Sequence, residues 1–194
     1  MSETRPKTEA IVILTEGFED MEAVAPLDIL RRGGVETLSL SITGRLSVAS
    51  SHGVTVTADG LLEDVLDGNN DEPDLSELDL ICLPGGPGHK SYFDSPALSR
   101  LIREHSSRGG WLAAICAAPV YLGALGLLEG REAVCYPGME DGMTGAKPCL
   151  SNIAVDGKII TAKGPGLSVE FALKLLATLR GSKAADMVRT DLCI

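Results

Sequence analysis

The segment Gly110-Trp111-Leu112-Ala113-Ala114-Ile115-Cys116-Ala117-Ala118-Pro119 places a thiol where an apolar, strand-like run stops. Small residues and a proline follow, and then the helical pattern Val120-Tyr121-Leu122-Gly123-Ala124-Leu125. That order describes a strand, a tight turn and a helix, with Cys116 on the turn. Unpaired backbone N–H groups and the positive end of the helix both favour thiolate there. The layout is that of a nucleophile elbow, with cysteine in place of serine. A lone cysteine is more often a small buried hydrophobe. The cramped Ala117-Ala118-Pro119 start favours the reactive role.

Two further segments could complete such a site. Glu16-Gly17-Phe18-Glu19-Asp20-Met21-Glu22 carries four acids at the head of a helix, which suits the helix dipole and needs no other explanation than capping and solubility. Glu19 and Glu22 are one turn apart and share a side, whereas Met21 and Ala25 share another. A glutamate turned toward the strand ends could sit beside the thiol. Protonated, it would donate a hydrogen bond to the thiolate; ionised, it would raise the thiol pKa, and the two would titrate together. Gly85-Gly86-Pro87-Gly88 follows the apolar run Asp79–Leu83 and lacks both the P-loop ending and the GxGxxG spacing. Its glycines either make a tight turn or let backbone amides approach an oxyanion. His89, just beyond, either reaches the pocket or faces solvent.

These segments need a scaffold, and the chain supplies one by alternation. Expected strands are Ala10–Leu14, Val35–Ser41, Val54–Thr57, Leu78–Leu83, Trp111–Ile115, Glu132–Cys135, Ile153–Val155 and Lys158–Ala162, the last two joined by an Asp156-Gly157 hairpin turn. Expected helices run from the acidic cluster to about Arg32, over Ser95–Ser107, after Cys116, and over Leu167–Arg180 with Ser168 as a cap. The apolar side of that last helix is Val169, Phe171, Ala172, Leu175, Leu176 and Leu179, and Ala184–Val188 continues as a terminal helix. Leu61, Leu62 and Val65 suggest a short helical turn, and Asp67–Glu77 an acidic loop. Repeated strand–helix steps with Gly-rich turns imply an α/β fold with a mostly parallel sheet covered on both faces. Ligands bind such sheets beyond the strand carboxyl ends, where Thr15–Glu22, Pro84–Gly88 and Cys116–Pro119 all fall.

The whole-chain numbers narrow the function further. The chain has 194 residues, a formal charge of −10 and only 17 Lys and Arg, with no basic block, which argues against a nucleic-acid groove. Its polar start lacks a secretory signal, and the longest apolar runs are strand-sized, so a cytoplasmic location and no membrane contact are expected. The five cysteines are an odd number, and with three histidines they show no close metal-ligand spacing. A reduced compartment with one or two reactive thiols, no metal and no cofactor is the expectation. Cys82 reads as core, Cys149 as an exposed loop residue and Cys193 as part of a frayed tail.

Taken together, Leu83-Pro84-Gly85-Gly86, Ala113 to Pro119 and Thr161-Ala162-Lys163-Gly164-Pro165-Gly166 resemble the ThiJ/PfpI superfamily, closest to the branch of the parkinsonism-associated protein deglycase and its bacterial relatives. The likeness runs from about residue 9 to 192. It implies a flavodoxin-like three-layer sandwich, one domain over residues 1–194 with flexible tails at 1–8 and 192–194, and a homodimer. It implies Cys116 as the reactive residue, Glu22 as the protonated acid bonded to it, and the Gly86 and Ala117 amides as oxyanion donors. Gly85, His89, Tyr136 and Pro165 fall in the pocket, and Arg31, Arg32 and His52 near the dimer interface. Tyr136 stands where the family often has a histidine, and His52 where an arginine is common. The absence of a Cys-His pair speaks against a protease. The implied activity is a glutathione-independent glyoxalase, or deglycase, acting on small reactive carbonyls under oxidative stress. The alternatives are a redox-sensing or chaperone-like protein with an oxidisable cysteine, and a hydratase of another small electrophile.

Overall fold

Apolar strands buried on both faces build this molecule. A computed structural model of the chain describes residues 8–68 and 73–194. Its first strand, β1 (Ala10–Leu14), leads into α1 (Asp20–Arg32), followed by β2 (Thr37–Ser41), the hairpin strands β3 (Ser47–Ala49) and β4 (Thr55–Thr57), β5 (Gly60–Leu61) and α2 (Leu62–Asp67). Next come β6 (Leu80–Leu83), a 3-10 segment over Pro87–Asp94, α3 (Pro96–Ser107), β7 (Trp111–Ile115) and α4 (Pro119–Ala124). The chain ends through β8 (Glu132–Ala133), β9 (Lys147–Pro148), β10 (Ile153–Asp156), β11 (Ile159–Ala162), α5 (Ser168–Arg180) and α6 (Ser182–Asp191).

Seven strands form the central sheet in the order β10-β11-β7-β6-β1-β2-β5. All neighbours pair parallel except β10, which lies antiparallel on β11. Strand side chains point to opposite faces in turn. Ala10, Val12, Leu14, Leu80, Cys82, Ala113 and Ile115 therefore face α1 and α5, with Leu27, Leu30, Phe171, Leu175 and Leu176. Ile11, Ile13, Ile81, Leu83, Leu112 and Ala114 face the other layer, where Leu98, Ile102, Tyr121 and Leu122 meet them. Strands buried on both faces explain the unbroken apolar runs in the sequence. The result is the expected three-layer α/β sandwich.

From β1 the chain passes to β2 on one side, and β6 later joins on the other. The crevice where connections diverge is the usual ligand position of such sheets. It receives the loop into α1, the Gly85-Gly86 turn after β6 and the Cys116 turn after β7.

Several boundaries differ from the sequence reading. The acidic segment opens as a turn, and α1 starts only at Asp20, because the Glu19 side chain caps it by accepting the Glu22 N–H at 2.8 Å. Ser168 is the first residue of α5 and not its cap; its hydroxyl donates to the Pro165 carbonyl at 2.8 Å. Val169 is exposed, because it sits on the outer side of that helix. The strand expected over Glu132–Cys135 has two residues, since the Val134 N–H turns aside to the Thr161 hydroxyl at 3.0 Å. Thr8 is buried, with its N–H on the Asp74 carbonyl at 3.0 Å. Of the acidic loop, residues 69–72 lie outside the described residues, as do residues 1–7 of the expected tail. Cys149 is half-buried and Cys193 exposed.

Candidate functional site

The turn after β7 holds Cys116 at φ 63°, the left-handed region that L side chains rarely adopt. Two bonds fix it there. The Cys116 N–H donates to the Ala162 carbonyl at 2.9 Å, and the Cys116 carbonyl accepts the Tyr136 N–H at 2.7 Å. The side chain thus stands at the head of β7, buried but at the crevice.

Gly85 and Gly86 bring the second wall. A side chain at Gly85 would meet Cys116 Cβ at 2.6 Å, Glu22 Oε2 at 2.8 Å and the Ala117 nitrogen at 2.9 Å. Only glycine lets these three groups converge. Gly86 has φ 86° and lies against the Gly17–Glu19 backbone. The peptide between the two glycines is held by the Glu19 N–H, which donates to the Gly85 carbonyl at 3.1 Å. Its own N–H, that of Gly86, is aimed at the Cys116 sulfur together with the Ala117 N–H.

Glu22 is fully buried in the first turn of α1. Its Oε2 accepts the Gly85 N–H at 2.7 Å, while Oε1 has no hydrogen-bond partner among the described residues. A buried carboxylate with one empty oxygen is costly, so the neutral acid is favoured. Burial raises its pKa to about 7; the Gly85 bond opposes this, and the Glu19 charge adds to it. Pro26 sits four residues on and supplies no N–H to the Glu22 carbonyl.

The Cys116 thiol is pushed up to about 12, first by burial and then by the Glu22 charge, against the downward pull of the Gly86 and Ala117 amides. This corrects the expectation that the unpaired N–H groups and the helix end would together favour thiolate. Helix α4 has six residues and starts at Pro119, three beyond the cysteine, so its dipole acts weakly at the sulfur. The proton affinity is set first by burial and then by the acid beside it. With the proton on Glu22 the repulsion disappears, and the two amides face a sulfur free to carry charge.

His89 is buried. Its Nδ1–H donates to the Gly86 carbonyl at 2.8 Å, as a carbonyl can only accept, and its backbone N–H reaches the same oxygen at 3.1 Å. Tyr136 is half-exposed and its ring lies 3.4 Å from the space beside Gly164, so it joins the elbow to the Gly164-Pro165-Gly166 turn. Cys135 beside it is buried in the opposite layer, beyond the end of β8.

The three basic positions are each engaged with a carboxylate. Arg31 donates to the Thr37 carbonyl at 3.0 Å and to Asp59 at 2.7 Å, and Arg32 pairs with Asp28 at 2.9 Å. His52, largely exposed, has Nδ1 2.9 Å from Asp20 Oδ2, and Ser50 donates to the same carboxylate at 2.6 Å. Glu19, Asp20 and His52 bring their ligand atoms within 4.8 Å of one another. These contacts already use the Glu19 cap and the Asp20–His52 pair. The roles of Glu19 in capping Glu22 and in holding the Gly85 peptide were not read from the sequence; the one-turn spacing of Glu19 and Glu22 was the available signal.

Comparison with known proteins agrees with this architecture. The sequence profile described as the DJ-1/PfpI family matches residues 8–178. Protein DJ-1 homolog A of Arabidopsis thaliana is 37% identical over 96% of the chain, which spans only 47% of that relative, about half its length. Glutathione-independent glyoxalase DJR-1.2 of Caenorhabditis elegans is 32% identical over 97% of both. The solved structure of oxidized Toxoplasma gondii DJ-1 superimposes with a TM-score of 0.87 at 34% identity, covering 96% of this chain and 98% of that one.

Proposed function

The chain belongs to the DJ-1/PfpI family, and from that premise we propose that it is a cysteine-dependent enzyme acting on small reactive carbonyls. The observation that carries the proposal is the convergence of Cys116, Glu22 and the Ala117 nitrogen on Gly85. A nucleophile, an acid near neutrality and two amide donors then surround one reacting centre.

With methylglyoxal as substrate, the Cys116 sulfur attacks the aldehyde carbon and the carbonyl electrons move to oxygen. The Gly86 and Ala117 amides stabilise that oxyanion, and Glu22 delivers the proton that completes the hemithioacetal. Glu22, now ionised, takes the proton from the former aldehyde carbon and returns it to the adjacent carbon, while the hemithioacetal hydroxyl proton passes to the former ketone oxygen. The product is a lactoyl thioester. Water cleaves it, releasing lactate and regenerating the thiol, so one water is consumed per methylglyoxal. The relative named a glutathione-independent glyoxalase supports this reading for a chain that matches it end to end. Deglycation of early adducts would use the same first step.

The experiment is lactate release from methylglyoxal by the wild type, Cys116→Ser and Glu22→Gln. Wild-type rates in either variant would overturn the proposal.

The relative solved in an oxidized form favours a second reading, in which the Cys116 sulfur is oxidised to sulfinate and stabilised by the same donors. Under graded peroxide, Cys116 should then oxidise ahead of Cys82, Cys135, Cys149 and Cys193. Uniform oxidation would count against it.

A homodimer is proposed on one face. Met21, Val24, Val54 and Val169 are exposed around an open groove of about 640 Å³ that Pro165 and Gly166 border. Apolar exposure on this scale fits a second copy, and Met21→Glu should shift the sedimentation coefficient to that of a monomer.

A further inference from the structure

We propose that Glu19 is the positioning residue of the site: its carboxylate and its backbone N–H lock the Glu22 acid and the Gly85–Gly86 oxyanion wall into one unit. The proposal rests on the thiol-nucleophile reading above and adds to it the residue that holds the parts in register.

Both polar backbone groups of Gly85 end at the start of α1. Its N–H donates to Glu22 Oε2 at 2.7 Å, and its carbonyl accepts the Glu19 N–H at 3.1 Å. Glu19 Oε2 accepts the Glu22 N–H at 2.8 Å, which closes a ring of three hydrogen bonds through Glu19, Glu22 and Gly85. All three residues are buried, where such linked bonds strengthen one another.

The ring reaches the sulfur through one peptide. The Gly85–Gly86 peptide is trans, so its carbonyl and its N–H point in opposite directions. Glu19 holds the carbonyl side, which leaves the Gly86 N–H facing Cys116 and makes it the better donor. The wall has no slack, because a side chain at Gly86 would meet the Glu19 nitrogen at 2.6 Å and the Gly17 oxygen at 2.7 Å.

Glu19 also acts by charge. Burial raises the proton affinity of Glu22 first, and the Glu19 carboxylate adds to it against the Gly85 bond. The other ionisable groups around the ring are engaged or neutral. Asp20 is bonded at 2.9 Å to His52 of the β3–β4 connection, Glu16 to Arg45 at 3.1 Å, and the His89 ring to the Gly86 carbonyl. Cys116 after β7 and Cys82 within β6 are the thiols on which the Glu22 charge acts.

Two substitutions separate cap from charge. Glu19→Gln keeps an oxygen for the Glu22 N–H and removes the charge, whereas Glu19→Ala removes both. Iodoacetamide labelling of Cys116 in the full chain, read by peptide mass spectrometry from about pH 5 to 9, follows the coupled thiol–acid titration without any turnover. Glu19→Gln should move the inflection down by about 0.5 pH unit. That move should vanish in a Glu22→Gln background, where no acid is left to couple. Glu19→Ala should lower kcat for lactate release about 30-fold with KM within about 3-fold, and Gln at the position should restore most of the loss. The labelling arm stands even if Glu19→Ala does not fold. An unmoved inflection in Glu19→Gln, or a move that survives in Glu22→Gln, overturns the positioning role and leaves Glu19 a helix cap. So does a Glu19→Ala enzyme changed in urea midpoint alone. Cys116 unlabelled at every pH overturns the nucleophile reading beneath it. A shifted labelling profile without lactate formation would strike the glyoxalase reading alone.

Discussion

Cys82 lies on β6 and Cys116 on the turn that ends the adjacent parallel strand β7, both in the same apolar layer. Burial raises the proton affinity of both thiols, and the Glu22 charge is the next contribution for each. Only Cys116 has amides aimed at its sulfur and a backbone forced out of the strand. Cys82 stays within β6 and packs as a small hydrophobe. The comparison shows that reactivity here comes from the turn and its donors, not from a thiol near an acid.

The largest expected effect separates the two directly. Cys116→Ala should reduce lactate formation by at least about 1000-fold, whereas Cys82→Ala should leave it within about 3-fold and lower stability by about 1 kcal/mol. Steady-state kinetics and urea midpoints read both. A C82A enzyme that lost activity while folded would break the comparison.

Glu22, common to both thiols, gives the next. Its folded pKa of about 7 lies above the ordinary 4.5, so the folded state holds the proton more tightly. The associated stability is complete below about pH 4.5 and is lost as pH rises through 7, a change on the order of 3 kcal/mol. Urea midpoints of Glu22→Gln should show this decline removed relative to wild type.

Two glycines then contrast the ends of the sheet. Gly85→Ala collides with Cys116, Glu22 and Ala117 and should cost about 1–3 kcal/mol while lowering activity about 100-fold. Gly110→Ala, at the start of β7, collides with the His105 ring and should cost similar stability. The pH profile of Cys116 alkylation should move in the first variant and not in the second.

The smallest effect belongs to that far end. His105 is buried with its ring on the Trp111 carbonyl at 3.1 Å, and burial lowers its pKa. The unfolded chain therefore takes the proton first, and stability falls as pH drops below about 6.5. His105→Gln should flatten this acid arm, in the direction opposite to the Glu22 effect.

The sheet and the Cys116 turn were legible because apolar runs, glycines and Pro119 carry local signals. Three-layer topology followed from the strand–helix alternation, and β3 was missed because Ser47-Val48-Ala49 offers no alternation to detect. Glu22 could be singled out among four acids only through the family likeness, since periodicity gave it a side and not a partner. The Glu19 bond to the Gly85 peptide and the His89 bond to Gly86 join segments about 70 and three residues apart through backbone geometry, which side-chain patterns do not encode. The high proton affinity of Cys116 was missed for a related reason. Burial depth and the neighbour's charge are properties of the assembled crevice.

The left-handed backbone at Cys116 has a thermal corollary. A side chain there costs about 1–2 kcal/mol that glycine would avoid. Cys116→Gly should therefore melt close to the wild type even as it removes a buried group, where Cys82→Gly should melt far lower. At this one turn the sulfur is thus held against the backbone preference that a glycine would satisfy.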